Sequence, residues 1–236
     1  MGGKGIGIGV SDFKMLRAKE NYFIDKSLFI KDIIDNQSSV ALITRPRRFG
    51  KTLNMSMLRY YFDCTHKYNK ELFEDLKIME QEEKYTSKFG YYPVIYITLK
   101  DVQGKNYENM LLALKTELVE IFMDHINLLK SEKLLDIEKE MFNTILNLKA
   151  NEVELQNAIK LLSRLLYKEY EKNVMLLVDE YDVPLQNAYV EGYYEDAKKF
   201  FKTFYGITFK DNPYLEKTVI TGVSRVAKES IFSRSK

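Results

Sequence analysis

Residues 174 to 178 read VMLLV, an unbroken apolar run that ends directly in DEYD at 179 to 182. A strand with no polar alternation has to be covered on both faces, which is the signature of a central parallel strand between helical layers. Three further short runs rich in β-branched residues carry the same signal: SVALIT at 39 to 44, PVIYITL at 93 to 99 and TVITGV at 218 to 223. The segments between them have helical spacing. LNMSMLRYYF places Leu53, Met57, Leu58 and Tyr61 on one side, and Leu111, Leu114, Leu118 and Ile121 recur in the same way. Strands alternating with helices imply an α/β fold with a parallel sheet. Asp25 stands where a helix N-cap belongs, ahead of Leu28, Phe29, Ile33 and Ile34.

The stretch from Tyr107 to Tyr170 is rich in Leu, Lys and Glu and reads as three helices, with breaks near Leu129 to Ser131 and near Ala150 to Asn151. That is longer than a crossover between parallel strands requires, so residues 105–171 are expected to form a helical insertion within one domain spanning 1–236.

Composition removes several function classes. The single cysteine, Cys64, forbids an intramolecular disulfide, and with only His66 and His125 as histidines a Cys/His zinc centre is not expected. Any metal should therefore be held by oxygen. No run of about 18 apolar residues is present that could span a bilayer, and the start of the chain lacks the apolar core of a secretory signal. A cytoplasmic protein is expected, with no membrane partner. The 36 basic residues nearly cancel the 34 acidic ones, and the net charge of +2 gives no global footprint for nucleic acid.

Between the first apolar run and the helix that follows lies TRPRRFGKT. Phosphate binding needs backbone N–H groups converging on an anion at a helix N-terminus. Gly50 can adopt the open backbone this requires, Lys51 projects an ammonium toward β- and γ-phosphates, and the Thr52 hydroxyl suits Mg²⁺. The usual first glycine of such a loop would fall at Arg45, where Pro46 favours an extended backbone and a strand one residue longer. By itself this segment also fits an ordinary loop-to-helix junction.

The acids after VMLLV supply the second half of such a site. Asp179 is expected on the metal shell and Glu180 on the attacking water, against the alternative of a solvated turn. Ligands of open α/β sheets gather at the carboxyl ends of the strands, which favours the former. Arg47 and Arg48 are open between loop charge and phosphate contact, and Arg225, just past the last strand, between a γ-phosphate sensor and a surface pair with Glu229. For the base, Phe13, Tyr22, Phe23 and Ile24 are stacking candidates, although core packing accounts for most of them.

ALITRPRRFGKTLNMSML, LLVDEYDVPL, VITGVSRVAKESIFS and SDFKMLRAKENYFIDKSLFI together resemble the bacterial and archaeal AAA-ATPase-like proteins, from Val10 to Ser233. In that family RPRRFGKT is the normal form of the loop. The resemblance implies a P-loop NTPase of the additional-strand type, sheet order 5-1-4-3-2, binding ATP and Mg²⁺. It implies a nucleotide contact set of Arg47, Arg48, Phe49, Gly50, Lys51, Thr52 and Leu53, metal ligation by Thr52 and Asp179, and catalysis by Glu180, Lys51 and Arg225. Family members usually continue into a restriction-endonuclease-like nuclease domain, so this chain is expected to be C-terminally truncated, to lack the fifth strand and to self-associate through the exposed sheet edge. Two functions compete: Mg²⁺-dependent ATP hydrolysis, and a nucleotide-gated switch that hydrolyses little and controls a C-terminal effector. Direct nucleic-acid binding by this chain is unsupported, because Arg59, Tyr60 and Tyr61 are better explained as faces of a helix packed on the sheet.

Overall fold

Four parallel strands set the geometry of the chain. In the computed structural model, which describes residues 9–18, 22–46, 48–65 and 67–223, these are β1 (Val40–Thr44), β2 (Val94–Thr98), β3 (Val174–Asp179) and β4 (Leu215–Gly222), in the spatial order β1-β4-β3-β2. A fifth strand is not among the described residues. Each strand overlaps its predicted apolar run, although β4 starts three residues before the run at 218 to 223. β3 is buried over its whole length, as its lack of alternation requires. β1 is an edge strand among the described residues. β2, the other edge, is partly covered: the Thr98 N–H donates to a Glu117 carboxylate oxygen, and Asp63 bridges to Tyr92 in a parallel pairing.

Helices cover both faces. On one lie α1 (Phe13–Ala18), α2 (Leu28–Asp35) and α3 (Lys51–Phe62), followed by two 3₁₀ turns and the short α4 (Glu83–Thr86). On the other lie α5 (Tyr107–Asp124), α6 (Asp136–Leu146), α7 (Glu152–Tyr170), α8 (Val183–Glu191) and α9 (Tyr194–Phe209). Strand parity sorts the two cores. Met175, Leu177 and Val219 pack with Met55, Leu58 and Tyr61 of α3, while Leu176, Val178 and Ile220 pack with the second layer. On α9 a buried aromatic column of Phe200, Phe201, Phe204, Tyr205 and Phe209 faces that layer. Burying each such ring contributes about 1.5–3 kcal/mol, so α9 is a principal anchor of the sheet.

The helix boundaries follow local chemistry. At α5 the Asn106 side chain accepts from the Asn109 N–H, and at α7 Asn151 and Glu154 form a reciprocal capping box. The breaks between α5, α6 and α7 fall at the expected segments, with a 3₁₀ turn at Ile126–Lys130 and a connection at 147–151. Asp25 does not cap α2. The residue before the helix is Ser27, and the Asp25 carboxylate accepts instead from the Ser27 N–H (2.7 Å) and, across the chain, from the Lys77 N–H (2.9 Å). The chain makes one further turn before the helix starts, so the acid fastens that turn to a distant segment.

Candidate functional site

β1 delivers the loop that opens α3. The Arg45 N–H donates to the Gly222 carbonyl (3.2 Å), so the ladder runs one residue past β1, as Pro46 predicts. Arg48 and Gly50 then both turn left-handed, at φ 68° and 73°. Nothing lies within 4 Å of where a Cβ on Gly50 would sit, so backbone conformation alone calls for glycine there. Lys51 is the first residue of α3, and its buried side chain (8 % exposed) curls back so that Nζ donates to the carbonyls of Arg45 and Pro46, both at 3.0 Å. α3 has no side-chain cap, so its first backbone N–H groups are left for another acceptor.

β3 delivers the acids. Asp179 shares strand parity with Met175 and Leu177, which turns its side chain toward the α3 face, the face from which Lys51 and Thr52 start. β1 and β3 flank β4, so their ends stand about 10 Å apart, two ladder spacings. Asp179 is 1 % exposed; its Oδ1 accepts from the Thr221 hydroxyl and from the Glu180 N–H (3.1 Å). Its Oδ2 is buried and has no hydrogen-bond partner. A buried carboxylate oxygen left without a donor is a place where a cation compensates the charge. Among the described residues no group of three or more His, Cys, Asp or Glu side chains is arranged to hold a metal. The donors present are therefore few and all oxygen, a set that suits Mg²⁺, which keeps several waters and takes its other ligands from phosphate.

The turn after β3 is fixed from two sides. The Tyr181 N–H donates to the Thr221 carbonyl (3.0 Å), and the Asp182 carboxylate accepts from the Val223 N–H (3.0 Å) and from Gln186 Nε2 (2.8 Å). From α9 the Tyr205 hydroxyl donates to the Tyr181 carbonyl (2.7 Å). Glu180, just before these anchors, is left-handed at φ 52°, a conformation that costs a non-glycine residue on the order of 1 kcal/mol.

One cavity of about 1150 Å³ gathers these parts. Arg48, Gly50, Lys51, Thr52 and Leu53 line one wall with Gly9, Val10 and Ser11, and Glu180 lies between that wall and an opposite one. The opposite wall is made by Lys100 and Gln103 of the β2–α5 loop and by Gln186, Asn187 and Val190 of α8. It is braced internally: Asn187 Oδ1 accepts from the Gly104 N–H (2.9 Å) and the Tyr193 hydroxyl (2.7 Å), and that hydroxyl also lies 2.9 Å from the Gly104 carbonyl. Asp179 lies beneath Glu180 and is not on the cavity surface. Phe49 lines a separate, smaller pocket. Arg47 and Arg225 fall outside the described residues.

The stacking candidates do not line either pocket. Phe13 is fully buried against Phe23 and Phe73, and Tyr22 and Ile24 are exposed. Of the helix residues, Tyr61 is buried in the core, Tyr60 donates to Asp12 (2.9 Å), and Arg59 pairs with Asp124 (2.7 Å) over the ring of Tyr96. Sequence reading missed Thr221 and the opposite wall. A threonine ending an apolar strand is a usable signal for the first; the second depends on residues far apart in the chain.

A parallel α/β sheet whose first strand feeds a glycine-lysine-threonine helix start, with an acidic pair ending a central strand, defines a nucleotide-binding protein of the P-loop kind. The sequence model of the AAA-ATPase-like family, described as predicted AAA-ATPase, matches residues 7–232, and the chain belongs to that family. It is 24 % identical over 243 residues to an uncharacterized protein in the vnfD 5' region of Azotobacter chroococcum mcd 1, covering 99 % of this chain and 40 % of that protein. The chain thus spans about two fifths of the length of this curated relative. No solved structure matches the chain. No helix among the described residues is long and apolar enough to cross a membrane.

Proposed function

We propose that the chain binds ATP with Mg²⁺ and hydrolyses it. The observation that carries this reading is that Lys51, Thr52 and Glu180 share one cavity, with the unpartnered carboxylate oxygen of Asp179 just beneath. Lys51 and the first N–H groups of α3 would bind the phosphates, and Thr52 and Asp179 would hold the metal. When bound, Mg²⁺ would neutralise negative charge on the phosphates. Glu180 would orient the attacking water and take its proton as the bond between the γ-phosphorus and the bridging oxygen of ADP breaks. Thr221 holds Asp179 in place, and Arg47, Arg48, Phe49, Gly50 and Leu53 complete the nucleotide contacts, with Arg225 as sensor. Replacing Lys51 with alanine should abolish ATP binding in calorimetry; unchanged affinity refutes the assignment.

A second reading is a nucleotide switch with slow turnover, favoured by Lys51. Its ammonium is bound to two carbonyls of its own loop, so phosphate has to draw it off them, and the loop rearranges as it does. A C-terminal effector such as a nuclease domain, or self-association through the β1 edge, would read that change, and the helices at 105–171, taken as an insertion, offer a contact surface. Phosphate release measured with saturating ATP separates the two: binding without release favours the switch.

A further inference from the structure

We infer that Lys100 is a catalytic cation of the large cavity, set on the wall opposite the phosphate loop to meet the γ-phosphoryl group as it passes to water; this rests on the nucleotide reading above. The described lining of the cavity holds three cations, Arg48, Lys51 and Lys100, against one acid, Glu180. Arg48 and Lys51 belong to the loop and first residue of α3, whereas Lys100 follows β2 and borders the space from the other side. The backbone there is pinned to the acidic strand end. Thr98 pairs in register with Asp179, and one residue on, the Leu99 N–H donates to the Asp179 carbonyl (2.9 Å). The Lys100 N–H donates to the Thr98 hydroxyl (3.4 Å), and its carbonyl accepts from Gln103 Nε2 (2.6 Å). The bonds of Asn187 and Tyr193 to Gly104 then close the loop behind it. Both backbone groups of Lys100 are engaged, yet no described residue forms an ion pair or hydrogen bond with its ammonium. A fixed base under an uncommitted charge is the arrangement that electrostatic preorganisation requires.

The span of the sheet fits the role. β1 and β2 stand at the two ends of the strand order, three ladder spacings or about 14 Å apart. A lysine carries its nitrogen about 6 Å from Cα, over five bonds of about 1.5 Å each. Lys51 and Lys100, extending inward from opposite ends, can therefore meet one phosphoryl group between them. Lys51 starts on the loop side and holds the bound triphosphate. Lys100 stands on the side of Glu180, where the water attacks. As the water oxygen bonds to phosphorus and the bridging bond breaks, the phosphoryl group flattens and its charge spreads over three equatorial oxygens. A cation held on the far side gains more from that state than from bound ATP, which is the condition for raising kcat. Glu180 takes the proton of the water, and Lys100 keeps its own.

Phosphate release and calorimetry on the whole chain with Mg²⁺ test this. Lys100→Ala is expected to lower kcat about 100-fold while KM for ATP and affinity for ADP stay within about threefold of wild type. Affinity for ADP with aluminium fluoride, a stand-in for the phosphoryl group in transfer, should fall along with kcat. Lys100→Arg, which restores the charge, should recover about a tenth or more of the wild-type kcat. The Lys100 side chain is exposed, so both variants should keep the wild-type melting temperature. The catalytic role is overturned if Lys100→Ala turns over as wild type does, if ADP affinity falls in parallel with kcat, or if Lys100→Arg is as slow as Lys100→Ala. A wild-type chain that binds ATP without releasing phosphate also overturns it while sparing the nucleotide site. Failure of wild type to bind ATP or ADP sinks the nucleotide reading, and the role of Lys100 with it.

Discussion

The two walls of the large cavity are built on opposite plans. The wall that carries the loop before α3 is held lightly: two of its residues are left-handed, a Cβ on its glycine would meet nothing within 4 Å, and among the described residues its lysine is tied only to carbonyls of its own loop. The opposite wall is locked. Asn187 and Tyr193 grip both backbone groups of Gly104, and a Cβ on that glycine would lie 2.5 Å from the Met110 backbone nitrogen. Two glycines thus serve opposite ends, one to let the chain turn and the other to let it close up. The difference teaches that the wall built on the glycine-lysine-threonine loop has room to rearrange, against a fixed counterpart.

Substitutions at these glycines can break the comparison. The largest effect should come from Gly104→Ala, where the added methyl runs into the backbone of Asn109 and Met110 and the Asn109 Cβ; a loss of about 3 kcal/mol is expected, seen as a melting temperature lower by about 10 °C. A change of under 2 °C would mean that the wall is not locked. Gly50→Ala meets no neighbour and carries only the left-handed penalty of about 1 kcal/mol, so its melting point should fall far less than that of Gly104→Ala. If the two variants melt together, the contrast fails.

The smallest effect sharpens the locked side. Glu117 accepts from Thr98 at the end of the strand that leads into that wall. Burial pushes its carboxyl above the ordinary 4.5, the Thr98 N–H opposes this, and the nearby acids Asp101, Glu120 and Asp124 add to the rise. The folded state then keeps the proton where the unfolded chain has released it. This group's contribution to stability is full below the ordinary value and is lost as pH rises through the raised one. Glu117→Gln should flatten that decline in denaturant titrations at a series of pH values; an unchanged slope would put the cause elsewhere.

Much of the frame was legible because it rests on local pattern. Apolar runs mark the strands at 40–44, 94–98, 174–179 and 215–222, and the order of strand, GKT and helix marks the loop. What escaped depends on tertiary neighbours. Asp25 has the right residue type for a cap but sits two positions before Ser27, so it fastens Lys77 instead. Phe13 and Phe49 look alike in sequence, yet one is in the core and the other faces solvent beside a pocket. The Gly104, Asn187 and Tyr193 brace joins the β2–α5 loop to α8 and the residue after it, more than 80 residues away, and no spacing rule finds it.

The Tyr205 hydroxyl reaches from the aromatic column of α9 to the backbone just after Glu180. The acidic turn therefore takes its position from oil-side packing on a helix that never borders the cavity. Slack introduced among those rings would displace the carboxylates while leaving every residue around the phosphate loop untouched, which makes α9 a remote tuning point for whatever chemistry the cleft performs.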